Sequence, residues 1–460
     1  MECALEAESE ASLALRELGA FINVGEHISV PCFYSCEIVT PRTPATSREP
    51  PYFGVFLVRR RSPAIESECH EDSSAIFHIV VVNEFLEAVR VIVACPTLTD
   101  ARFTHSDWLP DNYVPGFEDL MSEVFSLLKF SPSLSCFHFR NDLADASLYC
   151  KHLPTLVCEN PRLETLKVVA GGLNFGALAK AIAVCLSRNS VLKSFTLQFP
   201  LGDYDLSRHS LEILLRPLTS SSPSEANADL KELALYLQYS DAHCMDVIAN
   251  LICRNTTLEK LDLRFLKFRS IYLKDDKSAW REIGRALEVN QTLKELSCFC
   301  DLAALRELLV PFVPDRYGRQ PNTTLSTLRL FVSNDLNGRW LHALVNNLGV
   351  VLKDLASALE SNTTLKHVQL IYEWDGYETN QWDDDVKYVT DKDLWRVEFQ
   401  IQEILKVMRS NELRVNTSLE SFAVGNWTLR RVGTEWQTSY RGPCLREQTR
   451  EYTVKVTMAP

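Results

Sequence analysis

Glycine and closely spaced cysteine pairs are both scarce in this sequence of 460 residues. Only 16 glycines occur, which excludes a collagen-like or low-complexity chain, and 46% hydrophobic residues supply enough apolar surface for a folded core. None of the 14 cysteines forms a Cys-x-x-Cys pair. Several of them, such as Cys185 and Cys253, lie within apolar runs, which is typical of buried thiols in a reducing compartment.

Basic residues are also in deficit, since 48 Lys and Arg stand against 60 Asp and Glu, for a formal net charge of -12. This balance disfavours nucleic-acid binding, because affinity for phosphate chains comes mainly from clustered Lys and Arg. Residues 1–21 carry acids where a secretory signal needs a basic start. The most apolar stretch, residues 75–95, is interrupted by charged side chains and does not suit a membrane span. We therefore expect a cytoplasmic protein that binds neither nucleic acid nor membrane.

What the sequence does contain is a repeated pattern, Leu-x-x-apolar-x-apolar. It begins at ten leucines: Leu98, Leu134, Leu163, Leu192, Leu230, Leu258, Leu293, Leu325, Leu365 and Leu419. Self-similarity of this kind is the signature of an array in which each repeat packs on its neighbours. The shortest steps set the basic length, and longer steps are explained by inserted loops, which folded chains tolerate well. The pattern predicts about ten repeats of 28–29 residues.

An asparagine stands three residues before the leading leucine in eight of the ten repeats: Asn160, Asn189, Asn227, Asn255, Asn290, Asn322, Asn362 and Asn416. Apolar residues at helical spacing precede several of these positions. We predict that each asparagine ends a helix, because Asn readily adopts the left-handed backbone conformation found there. The leucine then enters a short strand, so each repeat is one strand, a turn and one helix.

Asn-x-Ser/Thr, the acceptor pattern for N-linked sugar, occurs at Asn426 and at the last five of these asparagines. Five of the six matches coincide with the helix-end position of the repeat. We interpret them as structural, with sugar attachment as the alternative.

The repeat "NxTLxxLxL" followed by a helix resembles the ribonuclease-inhibitor type of leucine-rich repeat, a class shared with Ran GTPase-activating proteins and the repeat regions of NOD-like receptors. The resemblance covers residues 95–428. It implies an α/β solenoid shaped like a horseshoe, with a parallel sheet on the concave face and helices on the convex face. The family usually places Asn or Cys shortly after each strand, where its side chain bonds the neighbouring turn. This chain has other residues there, including Gly171, Pro200 and Glu373, so we expect irregular turns.

Three regions follow from the extent of the repeat: an N-terminal capping region (1–92), the solenoid (93–429) and a C-terminal cap or tail (430–460). Solenoid ends need such covers because the last repeat would otherwise expose its core. Within the first region, "FGVFLV" from Phe53 is a candidate for one further strand.

Motifs that carry chemistry are weak in this sequence. "GGLNFG", from Gly171, lacks the Lys-Ser/Thr ending of a phosphate loop, and we interpret it as a turn. Cys32, Cys36, Cys69 and His70 do not have the usual spacing of zinc ligands, so unligated thiols are the preferred interpretation. No motif nominates a catalytic nucleophile or base. We expect a protein that is not an enzyme and has no metal or cofactor.

Binding is expected at the strand residues that alternate with the buried leucines, and at the loops at the strand ends. Aromatic and arginine side chains are the usual anchors of protein interfaces. The predicted partner-binding residues are Tyr236, Lys260, Asp262, Arg264, Phe299, Arg329, Phe331, His367, Trp374 and Trp382. Shielding of these side chains by neighbouring turns is the alternative.

Trp374 and Trp382 belong to an insertion, residues 373–393, that is rich in acids and aromatics. Charge steers association and aromatics anchor it, so the insertion predicts contact with a basic protein partner. A merely solvated loop is the alternative.

The functional hypothesis is a monomeric, non-catalytic scaffold that binds another protein. One alternative is a GTPase activator of the Ran type, which orients the catalytic groups of its partner. That family often carries a long acidic C-terminal run, and this sequence ends in a mixed segment instead. A second alternative is a substrate adaptor of a ubiquitin ligase, although residues 1–92 show no convincing F-box.

Overall fold

The computed structural model places the chain in two compact units, residues 1–230 and 231–460, which are described separately. It describes strand residues 21–23, 26–29, 35–39, 53–58 and 100–105, followed by residues 117–132, 134–141, 147–170, 175–198, 207–222, 227, 229–237, 242–265, 276–300, 307–312, 322–332, 352, 355–356, 358–360, 362–372, 401–402, 405–406, 416–425, 427–440 and 452–454.

The first unit alternates strands and helices after an N-terminal pair of hairpins. Strands β1 (Phe21–Asn23) and β2 (Glu26–Ser29) pair antiparallel, as do β3 (Ser35–Val39) and β4 (Phe53–Val58). From β4 onward the neighbours are parallel: β5 (Asp100–His105), β6 (Cys136–Asn141), β7 (Thr165–Ala170) and β8 (Ser194–Gln198). The helices are α1 (Phe117–Lys129), α2 (Ser147–Glu159), α3 (Phe175–Arg188) and α4 (Arg208–Thr219).

The second unit continues the alternation and ends in antiparallel strands. Its parallel strands are β9 (Glu232–Leu237), β10 (Lys260–Phe265), β11 (Glu295–Cys300), β12 (Thr327–Val332), β13 (His367–Tyr372) and β14 (Ser421–Val424). Helices α5 (Ala242–Arg254) and α6 (Asp276–Val289) and a 3-10 turn (Val310–Phe312) lie between them in sequence. The antiparallel strands are β15 (Trp427–Val432), β16 (Glu435–Tyr440) and β17 (Tyr452–Val454).

Strands β9 to β14 each contribute two buried residues at alternate positions, and the strand register aligns them into two stacks. One stack holds Leu233, Leu261, Leu296, Leu328, Val368 and Phe422, and the other holds Leu235, Leu263, Cys298, Leu330, Leu370 and Val424. All twelve side chains are at most 1% exposed. A shift of one residue would move a whole stack to the opposite face, so this apolar pattern fixes the register. Alternating strands and helices with a mostly parallel sheet fit an α/β solenoid.

The asparagines that follow the helices are almost fully buried, at 0–7% exposed. Asn290 is representative, since its N–H donates to the Ala286 carbonyl and so ends α6. Its side-chain Oδ1 accepts hydrogen bonds from the N–H groups of Thr292 (3.0 Å) and Leu293 (2.8 Å). Its Nδ2 donates to the carbonyls of Ile252 (2.7 Å) and Asn255 (3.2 Å) in the preceding repeat. The amide therefore ties one helix-to-strand turn to the next.

The same amide bridge recurs in both units. In the first unit, Asn189 Nδ2 donates to the Val157 carbonyl at 2.6 Å and Asn227 Nδ2 to the Leu186 carbonyl at 2.7 Å. In the second, Asn322 Nδ2 donates to the Leu287 carbonyl at 2.6 Å, and Asn416 Nδ2 to the Asn362 carbonyl at 2.8 Å. Sequence reasoning attributed the residue to its backbone preference; the contacts add a role for its side chain, which bonds two successive turns.

The hydroxyl two residues after the asparagine completes this turn. Thr324 Oγ1 lies 3.4 Å from the carbonyl oxygen of Asn290, and Thr364 Oγ1 lies 3.1 Å from that of Asn322. Ser418 makes the equivalent contact, at 3.3 Å, with the carbonyl of Asn362. Buried carbonyls need hydrogen-bond donors, and a Thr or Ser supplies one here. Both polar residues of the Asn-x-Ser/Thr pattern thus take part in packing between repeats, which supports its structural interpretation. Asn426 lies outside the described residues.

All ten predicted strands are present, as β5 to β14, and the leading leucines from Leu134 onward are at most 3% exposed. The further strand proposed at Phe53 is also confirmed, since β4 pairs parallel with β5. The number of complete repeats and the horseshoe shape stay predictions, as does the division at residues 92 and 430. Residues 75–95 and the positions just after the strands, such as Gly171 and Pro200, lie outside the described residues.

Candidate protein-binding face

Strand residues that alternate with the buried stacks of the second unit form rows across neighbouring strands. The register places Lys260 between Glu232 and Glu295, and Arg264 beside Tyr236. It also places Phe331 between Phe299 and Ile371. Seven of the ten predicted partner-binding residues have described side chains on these rows, and the strand alternation brings them together on one face. This set of rows on β9 to β13 is called the outer face below.

Arg264 is the centre of the best-defined contacts on the outer face. Its guanidinium carbon lies 4.4 Å from the centroid of the Phe331 ring and 5.0 Å from that of Tyr236, which are cation–π distances. Its Nε donates to Asp262 Oδ1 at 3.3 Å. The Arg264 side chain remains 35% exposed, against 15% for Asp262. The guanidinium thus contacts three neighbours, and part of the Arg264 side chain remains accessible to solvent. These four residues, Tyr236, Asp262, Arg264 and Phe331, are called the Arg264 cluster.

Tyr236 contributes a hydrogen bond as well as its ring. Its hydroxyl donates to Asp262 Oδ2 at 3.0 Å. Burial, followed by the negative charge of Asp262 and this hydrogen bond, raises the pKa of Tyr236 to about 12. The phenol therefore stays protonated at neutral pH and can donate this hydrogen bond. Asp262 thus accepts one hydrogen bond at each oxygen, from Tyr236 and from Arg264. Such mutual contacts fix side chains in one arrangement before any partner arrives.

Phe331 occupies its predicted row but is only 4% exposed. The guanidinium of Arg264 lies over its ring. Shielding thus applies to this residue, and an arginine from β10 contributes to the cover. Phe331 is a platform for Arg264 and presents little surface of its own.

Two further polar contacts involve residues of the outer face. Arg329 Nη1 lies 3.8 Å from Glu295 Oε2, and these side chains are 40% and 37% exposed. His367 Nδ1 lies 2.9 Å from Ser421 Oγ, which is its register partner on β14, and Nε2 lies 3.8 Å from Glu420 Oε2. Directly opposed residues of neighbouring strands are within reach of each other, so this contact is explained by strand pairing. Sequence reasoning found His367 but missed Ser421 and Glu420, which lie 54 and 53 positions away.

Alternating charges line the start of the strands. Lys294 Nζ lies 2.5 Å from Glu259 Oε2, and Lys231 Nζ lies 3.5 Å from Glu259 Oε1. The hydrogen bond from Lys294 is the main cause that lowers the pKa of Glu259. The pair between Lys366 and Glu420 repeats the arrangement at 3.3 Å. All of these groups are exposed, and exposed pairs of this kind add little to stability.

Several sequence predictions lie outside the described residues. The insertion at 373–393, with Trp374 and Trp382, is among them, as are Cys32, Cys69 and His70. Phe299 and Cys36 belong to β11 and β3, but their side chains are not described. "GGLNFG" spans the end of β7 and the start of α3, and its first four residues are not described. The predicted roles of these residues therefore stay predictions.

The described residues hold neither a candidate metal site nor a candidate membrane span. Among them, no group of three or more His, Cys, Asp or Glu side chains is placed to hold a metal ion. None of the helices within those residues is both long enough and apolar enough to cross a membrane.

No family model matches this chain, and no curated protein matches it. Among solved structures, it is similar to "Leiomodin-1 Actin-Binding Site 2 (ABS2)", at 18% identity over 45% of this chain and 90% of that one, with a TM-score of 0.23. It is also similar to the receptor in "Crystal structure of TLR13-ssRNA13 complex", at 17% identity over 61% of this chain, with a TM-score of 0.28. The chain spans 37% of that receptor's length. TM-scores this low carry no argument about function. The description of the outer face therefore depends on the repeats and the side-chain contacts alone.

Proposed function

We propose that this chain is a non-catalytic scaffold that binds a protein partner through the outer face of its second unit. The observation that carries the proposal is the Arg264 cluster, in which two aromatic rings and a carboxylate hold a partly exposed guanidinium. Arginine and tyrosine at the centre of a patch are the residue types that dominate binding energy at protein interfaces. Regular strands support the cluster, so little ordering is required when a partner docks.

The proposal extends to the class of repeat and to the partner. Helices of 13 and 14 residues between the strands of the second unit support the ribonuclease-inhibitor type. In that class the outer face would be concave, and the monomer would recognise its partner by many contacts along the sheet. The expected basic partner depends on the insertion at 373–393, whose contacts are not described. The Ran-type activator and the ubiquitin-ligase adaptor are not favoured.

We also propose that the protein works in the cytoplasm. Transfer of N-linked sugar in the secretory pathway targets exposed Asn-x-Ser/Thr. Here Asn255, Asn290, Asn322, Asn362 and Asn416 are 2–7% exposed and make hydrogen bonds that order their turns. A sugar on any of these amides would prevent that turn from forming. The buried acceptor pattern therefore supports a compartment that lacks the modifying enzyme.

Photo-crosslinking tests the binding face directly. A photoreactive amino acid would replace Lys260 on the outer face in one variant and Arg285 on α6 in another. Arg285 is a suitable control because its side chain is 61% exposed and lies on a helix. Exposed to a cell extract and light, the Lys260 variant should yield discrete protein adducts that the Arg285 variant does not. Identical adduct patterns, or none at Lys260, would refute the outer face as the binding surface.

A further inference from the structure

We infer that the Arg264 cluster receives an acidic segment of the partner, with a partner carboxylate placed on the Arg264 guanidinium. This inference rests on the proposed function and deepens it, since it specifies the chemistry of the partner. It concerns the outer face alone and is separate from the expected contacts of the insertion at 373–393.

Charge on the outer face changes along the strands. Where the strands begin, the row of Glu232, Lys260 and Glu295 has two acids and one base. In the middle row, Asp262 and Arg329 lie on either side of Ser297, so one acid and one base are present. Near the strand ends the row holds Tyr236, Arg264, Phe331 and Ile371, and Arg264 carries the charge among these described side chains. A segment crossing this last row therefore meets positive charge between aromatic rings, on a chain whose net charge is -12.

The guanidinium is prepared for a planar anion. Its position is set by the rings of Tyr236 and Phe331 and by Asp262, so the side-chain entropy that an arginine normally loses on binding is largely lost already. Arginine matches the flat, two-oxygen geometry of a carboxylate.

Asp262 offsets part of the positive charge that an incoming anion would meet. Its Oδ1 lies 3.3 Å from Arg264 Nε, so any anion that approaches the guanidinium is also repelled by a carboxylate. A phosphate that carries two negative charges would double both this repulsion and its attraction to the guanidinium, so these two charges alone do not distinguish phosphate from carboxylate. We assign the site to Asp or Glu side chains of a protein segment, and a phosphorylated segment is an outcome that the test below distinguishes.

A random 12-residue peptide display library, selected against the full chain, tests the inference. Peptides that still bind the Arg264→Gln variant are removed by counter-selection, which leaves those that depend on Arg264. These peptides should be enriched in Asp and Glu. Synthetic copies, measured by fluorescence anisotropy, should bind Arg264→Gln at least tenfold more weakly than the unmodified chain. Arg264→Lys keeps the charge without the planar geometry and should lie between the two.

Arg285→Gln is the matched control, because it removes one exposed arginine from a helix and should change affinity less than twofold. Thermal unfolding of each variant shows whether it is folded. Enrichment of neutral or basic residues in the selected peptides would overturn the inference. An equal loss of peptide affinity in Arg285→Gln would do the same, as would tighter binding of a peptide in which phosphoserine replaces Glu. A selection that yields no Arg264-dependent peptide would overturn it too. If crosslinking at Lys260 still captures a partner in any of these cases, the proposed function stands while its acidic chemistry fails.

Discussion

At the scale of single residues, the buried asparagines are the most demanding positions. The side chain of Asn290 makes four hydrogen bonds, two to N–H groups of its own turn and two to carbonyls of the preceding repeat. A side-chain amide offers an acceptor oxygen and a nitrogen with two N–H donors at one end, which is what these four bonds use. Ala, Leu or Asp at this position would leave buried main-chain groups without partners, which explains why the sequence repeats the residue.

Replacement of Asn290 by alanine should lower the free energy of unfolding by about 3–5 kcal/mol. The estimate follows because each buried polar group left without a partner costs roughly 1–3 kcal/mol. Denaturation by urea, followed by circular dichroism, measures the change. Asn290→Asp should be no better, because a carboxylate keeps the acceptor but loses the donor to Ile252 and Asn255.

Asn250 provides the control for this prediction. It lies in α5 and is exposed, so Asn250→Ala should change stability by less than about 0.5 kcal/mol and in the favourable direction, since alanine prefers helix. A loss below about 1 kcal/mol for Asn290→Ala would show that the amide bridge does not hold the repeats together.

At the scale of elements, the contacts between a helix and its neighbours depend on how closely their backbones approach. Gly284 lies within α6, where a glycine normally weakens a helix. A Cβ at this position would lie 2.7 Å from the carbonyl oxygen of Glu307. The Glu307 carboxylate also binds Arg281 of α6, at 2.9 and 3.2 Å. The glycine permits this approach, and main-chain atoms cannot move aside as a flexible side chain would.

Gly284→Ala should therefore destabilise the protein by about 1–3 kcal/mol, because overpacking against backbone outweighs the gain of about 0.5–1 kcal/mol that alanine usually brings to a helix. Thermal unfolding measures the shift. A higher melting temperature for Gly284→Ala would show that the backbone of α6 does not approach the Glu307 carbonyl this closely.

Gly433, in the hairpin between β15 and β16, allows backbone strain to be measured without the steric clash expected at Gly284. Its φ is +65°, and a Cβ there would meet no atom within 4 Å. Gly433→Ala should cost about 1 kcal/mol through backbone strain alone, and Gly433→Asn should cost less, because asparagine tolerates this conformation. At Gly284 the order should reverse, since Asn is larger than Ala.

At the scale of the whole molecule, the repeated turn makes the chain insensitive to enzymes that attach N-linked sugar once it has folded. The five described acceptor asparagines are 2–7% exposed. Folding therefore hides every one of these amides at the same time.

Native protein incubated with an oligosaccharyltransferase and its lipid-linked sugar should remain unmodified at Asn255, Asn290, Asn322, Asn362 and Asn416. The same chain, unfolded and kept soluble, should be modified at several of them. Mass spectrometry of peptides reports each site, and the unfolded chain is the positive control. Modification of the native protein at any of the five would contradict the burial on which the cytoplasmic proposal depends.

Much of this architecture was predictable because the same pattern of leucine and asparagine recurs along the sequence. Leucine at fixed spacing identified ten strands, and the asparagine before it located the helix ends. Contacts between side chains were less predictable. Arg264 was a candidate from its strand position and type, but its stacking on Phe331 of β12, 67 residues later, depends on how far a side chain reaches across the sheet.

The sequence by itself determined the strand and helix alternation and the register of the apolar stacks. These features follow from periodicity, since burying alternate leucines leaves a single workable register. Only the tertiary structure decided which outward residues are presented and which are covered. Phe331 and Arg264 have similar positions on their strands, yet one is 4% exposed and the other 35%. The difference comes from contacts between strands that are distant in sequence, because a side chain's exposure depends on its neighbours in space.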